Sequence, residues 1–263
     1  MRHLTMLSLY LTRILEHRLR SFIWFLNSLL NPAIMILFWQ GSRGNTLSAA
    51  WSLSYITSYY FLNIIASAML MAHIEDDVAK EDIKDGMLVS YLVRPYSYYW
   101  LKFYEEIPYR LLQGFYGILV FIGFTVWFGG LVKLATDPLV VILSCIIIVL
   151  GYFMSFGYKM LLGLTAFWLI EMRTLFELSE IIILLLGGIT LPLEFFPIWL
   201  KSIAYALPFA YMIYFPIVAV LGRLSGIELI PIIGIQIVWV TIFYLLYKLL
   251  WSRGVRKFSG IGQ

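Results

Sequence analysis

Carboxylates that could take part in acid–base chemistry or bind a metal ion gather at two places in this sequence. The stretch IEDDVAKEDIKDG, residues 74–86, places eight charged side chains in the eleven positions from Glu75 to Asp85, and six of them belong to the chain's 15 acidic residues. A second group, EEIPYR, follows at residues 105–110. Either group would need a positioned acid, base or metal ion beside it to catalyse a reaction.

The second group matches the Glu-Glu-x-x-x-Arg signature of the CAAX-type intramembrane proteases. Those enzymes also need histidines on later membrane spans to support the catalytic water, and this sequence has no histidine after His73. We therefore interpret the match as accidental. Charged side chains near a helix end can pair or reach water, so we expect an interfacial network of Glu105, Glu106 and Arg110.

Other catalytic and cofactor motifs are missing from the sequence. No G-x-x-x-x-G-K-[ST] motif occurs that could cradle nucleotide phosphates, and no Gly-x-Ser-x-Gly elbow marks a hydrolase. The three histidines are too scattered for a recognisable metal site. The single Cys145 lies in an apolar run and is expected to face lipid or a neighbouring helix. We predict a chain that is not an enzyme and holds no metal or cofactor itself.

The composition is typical of a polytopic membrane protein. The chain is 62% hydrophobic and 13% charged, with a mean hydropathy of +0.88. Because about 20 apolar residues cross a bilayer as a helix, 263 residues can hold about six spans. We predict an all-α fold with one transmembrane domain over residues 1–263. The six spans are predicted at residues 21–40, 51–72, 107–128, 138–160, 176–192 and 231–251.

Two further segments are expected to lie at the membrane surfaces. Residues 4–20 place leucines at helical spacing among charged side chains, which indicates an interfacial amphipathic helix. Residues 189–222 are apolar but contain four prolines, each of which removes a backbone donor and disfavours the helix before it. Over residues 193–220 we therefore expect short re-entrant helices near the outer face, packed against protein.

Basic residues indicate the orientation of the chain. With the N-terminus in the cytoplasm, the outer side holds only four of the 19 lysines and arginines, Arg43, Lys133, Lys201 and Arg223. Both termini and the loop of residues 73–106 are then cytoplasmic, in the cell inner (plasma) membrane. The net charge of +4 is explained by basic residues that keep these loops on the cytoplasmic side of the membrane. We therefore expect no nucleic acid partner.

The charged stretch has the spacing of a short exposed helix. Opposite charges stand three or four positions apart in the pairs Asp76–Lys80, Asp77–Lys80 and Glu81–Lys84. Gly86 breaks the pattern, and an apolar edge follows at Met87, Leu88, Tyr91 and Leu92 before Arg94-Pro95 turns the chain back. Two interpretations remain open: a solvated loop, or a docking helix for a soluble partner with a charged rim and apolar centre.

Polar side chains also recur inside the predicted spans. Tyr55, Tyr59, Asn63 and Ser67 fall every four residues on one face of the second span, and Asn27 and Asn31 lie in the first. Such a seam either joins helices by hydrogen bonds or lines a translocation path. No acidic or basic residue lies at mid-membrane, which disfavours an ion-coupled carrier.

Two stretches, DGMLVSYLVRP at residues 85–95 and LLGGITLPLEFFPIWLKSIAYALPFAYMIYFPIVAVLG at residues 185–222, resemble the ABC-2 type permeases of ATP-driven exporters. The first is similar to the family's Gly-x-Leu…Leu-x-Arg-Pro pattern. The resemblance implies two six-span subunits, identical or related, around a central pathway in the lipid membrane. Each subunit would rest on a separate cytoplasmic ABC ATPase that carries ATP and Mg²⁺. It further implies a connecting helix at residues 4–20 and a coupling helix at about 75–92.

The resemblance also assigns a role to the charged loop. Closure of the ATPase pair would push on the coupling segment and shift the first, second and fifth spans, opening a route outward. The alternatives are an ATPase-independent secondary carrier or lipid flippase, and a membrane scaffold that transports nothing. The residues predicted to couple to the ATPase are Glu75, Asp76, Asp77, Lys80, Glu81, Asp82, Lys84, Asp85, Gly86, Leu88, Leu92 and Arg94.

Overall fold

A computed structural model describes residues 22–23, 25–26, 29–41, 52–127 and 133–258 of the chain. Over these residues the fold is helical and contains no β-strand, which confirms the all-α prediction. The amphipathic helix predicted at residues 4–20 and the predicted path residue Asn27 lie outside the described residues.

The helices of the described residues follow one another along the chain in the order below. In order they are α1 Leu30–Gly41, α2 Leu53–Leu70, a π-helix Asp77–Lys84, α3 Leu88–Leu92, α4 Tyr98–Trp127, α5 Pro138–Leu164, a 3₁₀ helix Thr165–Phe167, α6 Arg173–Leu186, a second 3₁₀ helix Leu193–Phe195, α7 Ile198–Ala206, α8 Phe209–Met212, α9 Tyr214–Val220 and α10 Gly226–Lys257.

Three helices in the described part of the chain are long and apolar enough to cross a membrane. They cover Tyr98–Val126, Pro138–Phe167 and Gly226–Lys257, with lengths of 29, 30 and 32 residues. They correspond to the third, fourth and sixth predicted spans. The remaining predicted spans overlap α1, α2 and α6, which have 12, 18 and 14 residues.

Two predicted boundaries were wrong for identifiable reasons. Helix α4 begins nine residues before the predicted position 107, because the charged side chains of its first turns are paired rather than left in water. Helix α6 ends at Leu186 instead of continuing to 192, because the chain turns at Gly188, where φ is +77°. A positive φ of this size is the left-handed region that glycine adopts readily.

The proline-rich segment folds as short helices, as its sequence predicts. Pro197 precedes α7 and Pro208 precedes α8, at positions where a proline costs no helical hydrogen bond. Helices α8 and α9 are buried against the rest of the protein, and the described residues give no membrane depth for them. Their re-entrant placement in the outer leaflet therefore remains a prediction.

Helix α5 lies at the centre of the fold and packs lengthwise against α10. The fully buried Gln236 of α10 donates hydrogen bonds from its amide nitrogen to the carbonyls of Ile147 on α5 (3.0 Å) and Tyr211 on α8 (2.9 Å). The two bonds of this amide nitrogen link α10, α5 and α8 in one register, whereas Oε1 of Gln236 is buried without a hydrogen-bond partner. The same helix α5 carries Lys159 near its end, where the charged loop packs.

Gly163 of α5 allows the π-helix to approach closely. A Cβ atom added at Gly163 would lie 2.7 Å from Cβ of Val78, whereas a Cβ atom at Gly234 of α10 would meet nothing within 4 Å. We expect Gly163→Ala to destabilise the protein by about 1–3 kcal/mol through overpacking. The matched change Gly234→Ala should be neutral or stabilising by up to about 1 kcal/mol, because alanine favours helix.

Thermal unfolding of both variants in the same detergent measures this difference. A Gly163→Ala variant that unfolds at the same midpoint as Gly234→Ala would contradict the close packing of the π-helix on α5.

Candidate functional site

The charged stretch folds as an amphipathic π-helix. Glu75 and the side chains Val78, Ala79, Asp82 and Ile83 are buried on one face. The opposite face exposes a mostly acidic set, Asp76, Asp77, Lys80, Glu81 and Asp85. The sequence prediction of a helix is confirmed, but the helix is half-buried rather than wholly exposed, and it therefore presents one charged face to solvent.

The opposite charges spaced three or four positions apart along this helix do not form ion pairs. No ion pair within 4 Å joins Asp76 or Asp77 to Lys80, or Glu81 to Lys84, in the part of the chain that the structure describes. The backbone N–H of Asp85 bonds the carbonyl of Lys80 at 2.8 Å, the i→i+5 spacing of a π-helix. The wider turn shifts side chains that an α-helix would place together.

Asp82 holds the π-helix against α4. Its Oδ2 atom lies 2.8 Å from Nζ of Lys102 and accepts a hydrogen bond from the hydroxyl of Tyr98 at 2.5 Å. The Lys102 and Asp82 side chains are only 4% and 3% exposed, and Nζ also lies 3.2 Å from Oε2 of Glu105. The Tyr98 ring stacks on Trp251 of α10, so the pair is fixed between the ends of two long helices.

Glu75 holds the start of the same loop against α5. Its Oε1 atom lies 2.6 Å from Nζ of Lys159, whose side chain is 1% exposed. Lys159 also pairs with Glu180 of α6. A buried ammonium group requires such partners, because its desolvation costs several kcal/mol when it is unpaired. The loop, α5 and α6 therefore meet at one cation.

Sequence reasoning missed this three-residue cluster. Glu75 and Lys159 are 84 positions apart, so no local spacing connects them. The usable signal was that Lys159 and Glu180 each interrupt an apolar run, since an ionised group there needs a partner on another helix. That signal predicts the existence of a pair without identifying its members.

The network predicted for Glu105, Glu106 and Arg110 is confirmed in part, because Glu106 pairs with Arg110 whereas Glu105 pairs with Lys102. Its position at the membrane interface remains a prediction. Oε1 of Glu106 accepts hydrogen bonds from Nε of Arg110 (2.6 Å) and from the backbone N–H of His73 (3.0 Å). The Arg110 guanidinium also donates to the carbonyl of Ala68 at 3.3 Å. The network therefore ties the end of α2 to α4, which keeps the charged loop close to both helices.

The remaining predicted coupling residues fall into three groups by their burial. Leu88 is fully buried in an apolar cluster with Val78, Ile83 and Tyr98, so its side chain supports the loop from within. Leu92 and Arg94 are exposed, and Lys84 and Gly86 are half-buried. Gly86 has a φ of 80°, the left-handed conformation that ends the π-helix before α3.

Burial also changes the titration of the loop carboxyls. Desolvation raises the pKa of Glu75 and of Asp82 above their ordinary values, although the lysine beside each one lowers it. Partial desolvation raises the pKa of Asp77 to about 6, with Lys102 opposing the shift and Glu81 adding to it. The negative charge at Asp77 therefore grows as the pH rises through about 6.

The polar seam of α2 binds the turn that follows α6. The Tyr59 hydroxyl donates to the Gly188 carbonyl at 2.6 Å, and the Asn63 amide nitrogen donates to the Ile189 carbonyl at 2.7 Å. Ser67 donates to Oδ1 of Asn63 at 3.0 Å, and the Arg223 guanidinium lies over the Tyr55 ring. These contacts match the interpretation of the seam as an interhelical joint.

One hydrogen bond beside the seam was not predicted from the sequence. Tyr60 lies outside the four-residue period but donates its hydroxyl to the Thr190 carbonyl at 2.8 Å, beside Gly188 and Ile189. Asn31 lies in α1, where the structure describes its backbone only. A translocation path along the seam residues and Asn27 remains a prediction.

The buried and exposed ion pairs allow a matched test of stability. We expect Lys159→Met to destabilise the protein by about 3–5 kcal/mol, because Glu75 would remain buried without its cation. Arg173→Met removes the exposed Arg173–Glu177 pair, with side chains 85% and 63% exposed, and should cost less than about 1 kcal/mol.

Thermal unfolding midpoints measure both effects. Adding Glu75→Gln and Glu180→Gln to Lys159→Met should recover part of the loss, since the isolated charges are then gone. Equal midpoints for Lys159→Met and Arg173→Met would contradict the buried cluster.

Comparison with known proteins agrees with this architecture. A sequence model of the family described as ABC-2 family transporter protein matches residues 27–262, which include the charged loop and all three long helices. Neither a curated protein nor a solved structure gives a significant match. Because the match extends over almost the whole sequence, the chain belongs to the ABC-2 transporter family of membrane permeases.

Proposed function

We propose that this chain is the permease subunit of an ATP-driven ABC exporter, and that a separate cytoplasmic ATPase moves its helices through the loop of residues 73–106. The observation that carries the proposal is the double attachment of this loop. Asp82 is paired with Lys102 of α4, and Glu75 is paired with Lys159 of α5. Family membership supports the ATPase, since ABC-2 permeases generally pair with ABC ATPase subunits.

The ion pairs give the loop the stiffness that force transmission requires. Separating Glu75 from Lys159 would leave a buried charge uncompensated, at a cost of about 3–5 kcal/mol. A push on the exposed face therefore moves the loop together with the start of α4, the end of α5 and the middle of α6. By linkage, the helix arrangement and the ATPase state then bias each other through the same contact.

The exposed face of the π-helix provides the surface for the ATPase. Four carboxylates and Lys80 project from it, so a complementary partner surface would be basic. Two of the predicted coupling residues, Asp82 and Glu75, are buried and pair with Lys102 and Lys159 of this same chain, so they attach the loop to the helices rather than contact the ATPase. The direct contacts are then assigned to the exposed carboxylates, Asp76, Asp77, Glu81 and Asp85.

The assembly follows from the same proposal. ATP and Mg²⁺ bind to the partner ATPase, and a second permease copy or a related permease completes the pathway. The chain lies in the cell inner (plasma) membrane with both termini in the cytoplasm, as the distribution of basic residues favours. The direction of transport is outward.

Charge reversal on the exposed face tests the docking surface. We expect Asp76→Lys, Glu81→Lys and Asp85→Lys together to abolish most ATPase co-purification and transport-coupled ATP hydrolysis, because three attractive contacts become repulsive. The control is the charge reversal Lys133→Glu. Lys133 is exposed, and its backbone N–H donates a hydrogen bond to Oγ of Ser58 in the first half of α2, which places it at the far end of the bundle from the loop.

Thermal unfolding verifies that the reversed chain remains folded, which is expected because the changed side chains are exposed. Stoichiometric ATPase retained by the folded triple variant would contradict docking on this face. Transport by the reconstituted chain without partner or nucleotide would instead establish the secondary carrier or flippase.

A further inference from the structure

An exposed apolar edge lies beside the acidic face of the loop. Within α3, Leu88 and Tyr91 point inward, whereas Val89, Leu92 and the C-cap residue Val93 are 46%, 43% and 78% exposed. Residues three and four positions apart share one side of a helix, so these three side chains form a single outward surface. We call Val89, Leu92 and Val93 the α3 edge.

Contacts with α4 fix the position of this edge along the bundle. The hydroxyl of Tyr91 donates to Oε2 of Glu105 at 3.3 Å, and Nζ of Lys102 lies 4.9 Å from the Tyr91 ring centre. The Tyr91 ring also meets the Tyr98 ring edge-on at 5.4 Å between centres. Helix α3 therefore lies alongside the first two turns of α4.

The length of α4 and its exposed apolar stripe favour a position for those turns at the level of the lipid headgroups. Trp100 is 41% exposed and precedes Leu111 by eleven positions, about three helical turns. It thus continues the exposed apolar stripe of α4 at Leu111, Phe115, Ile118 and Ile122. From Trp100 to the exposed Val126 the helix extends about 39 Å, compared with about 30 Å of hydrocarbon and about 40–45 Å with both headgroup layers.

The side chains at this level suit a membrane interface. Tryptophan and tyrosine are enriched at the headgroup level, where an apolar ring and a polar atom are both satisfied. The exposed Arg94 follows the α3 edge directly, with its guanidinium 5.0 Å from the Tyr91 ring centre. A cation held there can bind a lipid phosphate.

We propose that the α3 edge contacts the phospholipid bilayer rather than a protein partner, with Val89, Leu92 and Val93 between the headgroups and acyl chains and Arg94 at a lipid phosphate. The loop then has two surfaces: an acidic one that faces water and an apolar one that rests on lipid. This reassigns Leu92 and Arg94 from the ATPase contact. The lipid contact goes beyond the proposed function, because it holds whether or not an ATPase docks.

A site-directed fluorescence experiment tests the contact. Replacing the single, exposed Cys145 by serine gives a background in which Val93→Cys can be labelled with a small environment-sensitive fluorophore. The full complex is reconstituted in phosphatidylcholine and phosphatidylglycerol vesicles containing acyl-brominated phosphatidylcholine. The matched control is Arg256→Cys, which is exposed in the last turn of α10.

We expect brominated lipid to quench most of the fluorescence at position 93 and iodide in the water to quench little, with the reverse at position 256. Arg94→Glu should weaken the lipid quenching at position 93. Iodide quenching of position 93 equal to that of position 256 would overturn the proposal in favour of a solvated edge. Protection of position 93 from both quenchers would overturn it in favour of a protein partner.

Discussion

The burial of two lysines among apolar helices is the constraint on which the rest of this structure depends. Lys102 and Lys159 are each almost completely enclosed, and each must keep a carboxylate because an unpaired buried charge is far more costly than a paired one. The carboxylates come from the loop, at Asp82 and Glu75. The requirement for neutralisation therefore determines where the loop can lie.

Most other features of this end of the bundle follow from that placement. Gly163 provides space for Val78, Leu88 fills the apolar underside, and Gly86 turns the chain toward α3 with a positive φ. At the opposite end, the turn at Gly188 is held by hydroxyl and amide groups of α2 through neutral hydrogen bonds. The two ends of the bundle are therefore held by different interactions: buried ion pairs at the loop and hydrogen bonds between uncharged groups at the Gly188 turn.

The sequence predicted those parts of the fold that depend on local patterns. Apolar runs predicted α4, α5 and α10, the prolines predicted the short helices after residue 192, and Gly86 marked the end of the charged helix. Three features depend on distant contacts and could not be read from spacing. These are the pairing of Lys159 with Glu75 and Glu180, the π-helical turn, and the early start of α4 around the buried Lys102.

The central claim is that the loop and the helix ends move as one body when the ATPase changes state. The most direct measurement is the distance between spin labels at Met87→Cys on the loop and Glu177→Cys on α6, in the Cys145→Ser background, with and without vanadate-trapped nucleotide. Both native side chains are exposed, which suits labelling. We expect this distance to stay constant. A second pair of labels, at Met87→Cys and Lys133→Cys at the far end of the bundle, should change its distance when nucleotide is trapped. A loop that shifts against α6 while the helices stay in place would contradict the account.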